Sequence, residues 1–304
     1  MTNGFLYAVT VLIWGTTWFA IIFQLGVVAP EVSIVWRFLT ASLTLFGWCL
    51  VTGRSLRFPL NRHLWMALQG SFLFSGNYLI FYFAQYYVTS GLIAVSFSLI
   101  IVFNIGFGAL LFGQPIRPRV VAGAIVGLGG ISLLFLPELE KVDLADDGFR
   151  GMLMCVGGTL MASFGNLISG RNQRSGLPVI QTNAWGMLYG SCVAALVALA
   201  LGREFIVDWR APYVLSLVYL SLFGSVLAFG AYLTLLGRIG ADRAAYATVL
   251  FPLVALALST LFEGYQWTAP AMLGVVLVIA GNILALAPVS LRMLFRRVSR
   301  QGAG

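Results

Sequence analysis

One ionisable side chain, Arg37, lies well inside a long apolar run of this sequence, roughly two turns in from the nearest break. A charge held among lipid tails costs about 2.5–3.5 kcal/mol on insertion scales, so such a residue marks a functional site unless a structural partner explains it. Arg37 could hold a carboxylate through paired guanidinium hydrogen bonds. It could equally extend outward to water or pair with Glu31 near the same helix end. No aspartate or glutamate stands in the middle of an apolar run, and the single histidine, His63, follows Arg62 in a turn. A proton relay or a hydrolytic centre needs titratable groups brought together in the interior, and this sequence supplies none. Cys49, Cys155 and Cys192 are widely separated, with no CxxC or Cys/His spacing, so neither a disulfide framework nor a metal site is expected.

The remaining candidates are aromatic or polar without charge. The stretch "LIWGTTWFA" sets Trp14 and Trp18 at i and i+4, on one helical face, with Thr17 beside them. Tyr78 and Tyr82 repeat that spacing, and Ser75 and Gln85 extend the stripe. About 150 residues later Ser221, Ser225 and Tyr232 take comparable positions, Tyr232 meeting Tyr82. Ser96, Ser163, Asn166 and Tyr246 sit within other apolar runs. Gathered around one centre, such side chains would stack on a flat apolar ligand and bond its polar end. The competing use of hydroxyls is to tie helices together, and that of Trp and Tyr is to line the membrane interface, which suits Trp65, Trp209 and Trp267 near turns.

The elements that would carry these residues follow from composition. The 304 residues are 60% hydrophobic and 9% charged, whereas soluble domains carry about 25% charged residues. About 20 helical residues cross a bilayer core, and runs of that kind recur throughout, so the sequence is read as an all-α integral membrane protein. Unbroken apolar blocks such as 122–135 exclude the alternation of a β-barrel. Breaks at Pro, Gly and charged clusters predict ten spans, near 4–26, 31–52, 64–85, 90–112, 119–136, 151–170, 178–201, 212–236, 242–262 and 268–288. Thirteen of the eighteen basic residues then fall in turns on one side and four on the other. The positive-inside rule puts the Arg-rich side, with both termini, in the cytoplasm. The net charge of +8 reflects this topology, since no basic stripe interleaved with aromatics would bind nucleic acid. "MTNGFLYAVT" has no positive leader region, so the first span is expected to be retained.

Residues 113–135 and 264–286 line up with Gly123 on Gly274 and Gly130 on Gly281, and Pro30 meets Pro178. A duplicated five-helix unit is therefore expected, and its odd helix number forces the copies into opposite orientations. That arrangement places a substrate site near the midplane between repeats. The units are 1–137 and 151–288, joined by an acidic external linker, 138–150, and followed by a basic cytoplasmic tail, 289–304, expected against anionic headgroups. "GAIVGLGG" (123–130) is read as close helix packing rather than a nucleotide loop, with dimerisation the lesser alternative.

The order of "WGTTW", "WRF" (36–38), the Gly-rich fifth and tenth spans and "LFEG" (261–264) resembles the drug/metabolite transporter superfamily in its ten-helix EamA-type branch. "FGNLISGRN" (164–172) is similar to YddG-type exporters of aromatic amino acids. The resemblance implies a bacterial inner (plasma) membrane transporter, not an enzyme, working without cofactors by alternating access. A membrane enzyme acting on a lipid-soluble substrate, or a channel, is the alternative. It implies a monomer in contact with lipid and a small-molecule substrate, an aromatic amino acid or related metabolite. The candidate substrate-binding residues, read from their types and spacing, are Trp14, Thr17, Trp18, Arg37, Ser75, Tyr78, Tyr82, Ser96, Ser163, Asn166, Ser225, Tyr232 and Tyr246. The proton-exchanging glutamate of the four-helix multidrug relatives has no counterpart in the first span.

Overall fold

The first long apolar segment forms α1 (Asn3–Ile22), which Thr2 starts by accepting the Phe5 amide at its hydroxyl. Its threonines solve the problem that hydroxyls face in lipid by bonding back to their own helix. Thr10 donates to the Leu6 carbonyl, Thr16 to Ile13 and Thr17 to Trp14. The computed structural model describes residues 1–24, 26–84, 86–87, 93, 96–134, 136, 147–262 and 267–286. The side chain of Trp18, Gln85, most of the 138–150 linker, residues 263–264 of "LFEG" and the 289–304 tail lie outside the described residues.

After α1 come α2 (Pro30–Val51), with proline at its first position, and α3, a continuous rod of Leu60–Ser71, a π-helical turn Phe72–Gly76, and Asn77–Ala84. Then follow α4 (Ile100–Phe112), α5 (Pro118–Leu134), α6 (Asp147–Arg174) and α7 (Val179–Ala200). The next rod, α8, joins Ala211–Tyr219, a π segment Leu220–Leu227 and Ala228–Ile239. After a short turn, Ala241–Ala244, come α9 (Tyr246–Phe262) and α10 (Ala269–Leu286). Among the described residues every regular element is helical. Among the described residues five helices are long and apolar enough to cross a membrane, namely α2, Gly148–Arg174 of α6, α7, α8 and α10, and Ile100–Phe112 and Pro118–Leu133 are shorter apolar helices.

Helix α4 begins at Ile100, after a turn at 98–99, rather than near 90, and two further ends differ from expectation. Helix α1 ends at Ile22, where Phe23 caps it and Gly26 turns at φ 119°, so Gln24 leaves the helix and donates to Tyr213 O (2.9 Å) and Ser216 Oγ (2.6 Å). Helix α6 runs on through "RNQR", which reads as a loop by polarity. Those amides are instead satisfied inside the bundle: Asn172 donates to Gln69 Oε1 (3.0 Å), Gln173 to Leu233 O (2.8 Å).

Small residues set the closest crossings. A β-carbon on Gly123 would lie 2.7 Å from Gly281 O, and one on Gly130 would lie 2.7 Å from Gly274 O, so α5 and α10 touch backbone to backbone at two places. Gly123 and Gly130 of "GAIVGLGG" are thus used within one chain. On α1, a β-carbon at Gly15 would overlap the Val254 side chain of α9. Two π segments widen α3 and α8, about 150 residues apart in the sequence. In each, the amide closing the segment bonds five residues back, Asn77 to Phe72 and Ala228 to Phe223.

Candidate functional site

Among the described residues the helices leave a pocket of about 100 Å³. Ligand sites are mostly apolar with a few placed polar groups, and this wall has that character. Its apolar surface comes from Ile21, Leu73, Phe81, Phe97, Ile100 and Ala162, with the aromatic rings described next.

Trp14 sits at the centre. Its indole nitrogen donates to Gly224 O in the π segment of α8 at 2.9 Å. Its ring meets Phe229 edge-on at 4.7 Å, Tyr232 tilted at 5.0 Å and Phe251 edge-on at 5.2 Å, so α1, α8 and α9 share one aromatic cluster. The π segment presents the carbonyl that Trp14 takes, and Ser225 Oγ donates to another, Leu220 O, at 3.0 Å.

Arg37 lines the same pocket and is 4% exposed. Its Nε donates to Ser225 Oγ at 3.0 Å, and its guanidinium carbon lies 5.0 Å from the centre of the Tyr78 ring and 5.3 Å from that of Phe38. Gly224 opens the space beside it, since a β-carbon there would fall 3.2 Å from Arg37 Nη2. Among the described residues no carboxylate reaches Arg37 within ion-pair distance. Glu31 pairs instead with Arg203, at 3.5 Å. The guanidinium therefore enters the cavity with a hydroxyl and two rings for partners, and its remaining N–H groups suit a planar anion.

Asn166, 1% exposed, donates through Nδ2 to the Tyr232 hydroxyl at 2.9 Å, while its Oδ1 has no partner. Asn77, 5% exposed, also has an unpartnered Oδ1. Both asparagines line the pocket. A buried acceptor left without a donor costs about 1–3 kcal/mol, so both positions call for one.

Of the residues expected from the sequence, Trp14, Thr17, Arg37, Tyr78, Tyr82, Asn166 and Tyr232 meet at this pocket. Ser225 stands behind Arg37 and orients it. Ser163 turns away, donating to Asn104 Oδ1 at 2.7 Å. Tyr246 donates to the Val120 carbonyl, in the seam beside α5 and α10. Ser96 is buried away from the pocket lining, its carbonyl accepting from Thr159 at 3.2 Å. Ser75 is fully buried with an unpartnered hydroxyl and does not line the pocket. Asn77, Thr248, Phe229 and Phe251 line it without having stood out in the sequence.

Fold and site together define a helical membrane protein that encloses a small amphipathic binding cavity. The chain belongs to the EamA-like transporter family, which matches residues 2–136 and 149–287. It is similar to the uncharacterized inner membrane transporter YedA of Escherichia coli (strain K12), at 30% identity over 92% of this chain and 91% of the relative. A probable amino-acid metabolite efflux pump of Salmonella typhimurium (strain LT2) is 28% identical over 92% and 93%. The protein PagO of the same organism is 22% identical over 92% and 91%. A solved crystal structure with 20% sequence identity shares the fold with a TM-score of 0.76, covering 93% of this chain and 97% of that one. The chain is a multi-pass membrane transporter.

Proposed function

We propose that this transporter exports aromatic amino acids or closely related amphipathic metabolites by alternating access around the Trp14–Arg37 cavity. The observation that carries the reading is a guanidinium in an aromatic pocket with no carboxylate of its own among the described residues. Arg37 takes the substrate carboxylate, and Tyr78, Tyr82, Phe81 and Trp14 flank its ring. Export as the direction takes support from the relative named as an efflux pump of amino-acid metabolites.

The reading includes ten spans arranged as two inverted five-helix repeats, 1–137 and 151–288, with both termini cytoplasmic. Three features support it. The family matches each half separately. The glycine contacts are reciprocal: if Gly123 corresponds to Gly274 and Gly130 to Gly281, a two-fold rotation carries the Gly123–Gly281 contact onto Gly274–Gly130. The π segments of α3 and α8 coincide at an offset of about 150 residues, and π turns are frequent at functional sites and bends. In this arrangement the π segments are the bending points as one half rocks against the other. Ile21, Arg37 and Tyr82 lie near the helix ends away from the Arg-rich turns, which supports reading that end of the cavity as its outer side. The Trp14–Phe229–Tyr232–Phe251 cluster is then the barrier toward the cytoplasm. The described cavity wall offers no carboxylate or histidine, so no proton relay is placed in it.

The test is counterflow of radiolabelled phenylalanine or tryptophan into liposomes holding purified protein and unlabelled substrate. Saturable, protein-dependent exchange is expected. Folded protein that exchanges no aromatic amino acid would overturn the substrate assignment, and single-channel currents would replace alternating access with a pore.

A further inference from the structure

We infer that the side-chain oxygens of Asn77 and Asn166 accept the protonated amine of the substrate, so that the cavity reads both ends of a zwitterion. The inference rests on the amino acid reading above and assigns the residues that distinguish an amino acid from a plain aromatic acid.

The two asparagines come from facing antiparallel helices. A β-carbon on Gly165 of α6 would meet Leu73 of α3 at 2.7 Å, and one on Gly158 would meet Phe81 at 3.1 Å, which fixes the register. In that register Asn77 and Asn166 lie about one helical turn apart, on opposite walls of one side of the cavity. Arg37 enters from α2, beside Tyr78. The pocket thus has one cationic donor group and two acceptors that lack donors. Helix packing satisfies comparable amides elsewhere in the bundle: Asn104 accepts from Ser163, Asn183 accepts from Gln69, and Gln69 accepts from Asn172. Of the three buried amide oxygens without a donor among the described residues, those of Asn77, Asn166 and Gln181, the first two belong to residues that line the pocket. A primary ammonium carries three donors and no acceptor, which is the complement of two amide oxygens.

The chemistry of the acceptors also fits a carrier. Carboxylates here would pair with Arg37 and cancel its attraction for substrate. Neutral amide oxygens leave the guanidinium free, and they hold an ammonium without the grip of an ion pair, so the solute can leave. The Tyr232 hydroxyl accepts from Asn166 Nδ2, which turns Oδ1 away from the tyrosine and keeps the tyrosine proton available for another acceptor. Tyr232 is accordingly a positioning residue for Asn166.

The experiment is counterflow of labelled phenylalanine in liposomes, with unlabelled phenylalanine, 3-phenylpropionate (no amine) and phenylethylamine (no carboxylate) as competitors. Wild type is expected to prefer phenylalanine to 3-phenylpropionate by about tenfold or more, the low end for a hydrogen bond to a charged group. Asn77→Leu and Asn166→Leu are each expected to shrink that preference severalfold while 3-phenylpropionate competes as before. Asn77→Asp, which keeps the shape, is expected to raise competition by phenylethylamine. Equal competition by phenylalanine and 3-phenylpropionate in wild type, or an unchanged preference in folded leucine variants, overturns the amine assignment and leaves the transport reading standing. Absence of phenylalanine counterflow in folded wild-type protein overturns the transport reading itself, and this inference with it.

Discussion

Replacing Trp14 by phenylalanine separates what its ring does from what its nitrogen does. Trp14→Phe keeps an aromatic face toward Phe229, Tyr232 and Phe251 but removes the donor to Gly224 O. Loss of that hydrogen bond, with a buried carbonyl left unpaired, costs about 1–3 kcal/mol. The smaller ring leaves a void of about 40 Å³, which at roughly 24 cal/mol per Å³ adds about 1 kcal/mol. Together the change is on the order of 3 kcal/mol, which for a chain of this size lowers the melting temperature by roughly 5 °C. Thermal melting of detergent-purified protein measures the first consequence and phenylalanine counterflow the second. Because Gly224 O belongs to the π segment beside Arg37, the variant is expected to lower the maximal rate along with affinity. Wild-type melting together with wild-type kinetics would refute the assignment of the Trp14–Gly224 contact as the tie between α1 and the bending point of α8.

Gly130→Val puts atoms where Gly274 O and Val278 N stand 2.7 Å from the added β-carbon, and overpacking against backbone costs about 1–3 kcal/mol. A lower melting temperature is expected, while Gly129→Ala, which meets nothing within 4 Å, is expected to melt like wild type; the reverse order would refute the α5–α10 seam. Arg37→Lys keeps the charge but loses the fork that serves Ser225 and a carboxylate together, so KM for phenylalanine is expected to rise about tenfold, and an unchanged KM would remove Arg37 from the substrate site. Arg203→Ala strips the buried Glu31 of its ion-pair partner and, because Arg203 is half exposed, is expected to cost only about 1 kcal/mol. Adding Glu31→Gln is expected to return most of that stability, and an additive double variant by thermal melting would show the pair to be inert.

The rods were legible in the sequence because length and apolarity fix a helix across lipid whatever its neighbours. The ends of α1 and α6 were not, because polarity alone cannot tell a loop from amides that find partners inside a bundle, as Asn172 and Gln173 do. In the site, Arg37, Trp14 and the tyrosines stood out because they are the costly or amphipathic residues. Phe229 and Phe251 did not, since a phenylalanine facing a cavity and one facing lipid look alike. Ser75 and Asn77 changed places for a definite reason. The spacing of 75, 78 and 82 makes one stripe on a regular α-helix, but the π turn at Phe72–Gly76 widens α3 within that stripe. Asn77 lines the cavity one turn before Phe81 and beside Tyr78, while Ser75 is buried outside the lining.

The same irregularity reappears on the other side of the pocket, and that recurrence links the fold to its use. In α8 the π segment carries Ser225 and Gly224, the residues that position Arg37 and receive Trp14. Regular helices would bury their backbone polar groups within themselves and show the cavity only side chains. Beside their π segments, α3 places Asn77 in the pocket lining and α8 puts a carbonyl within reach of Trp14. In the proposed rocking motion, a bend at either segment would move Asn77 or the Trp14–Gly224 tie, so binding and opening would be coupled through two turns of backbone.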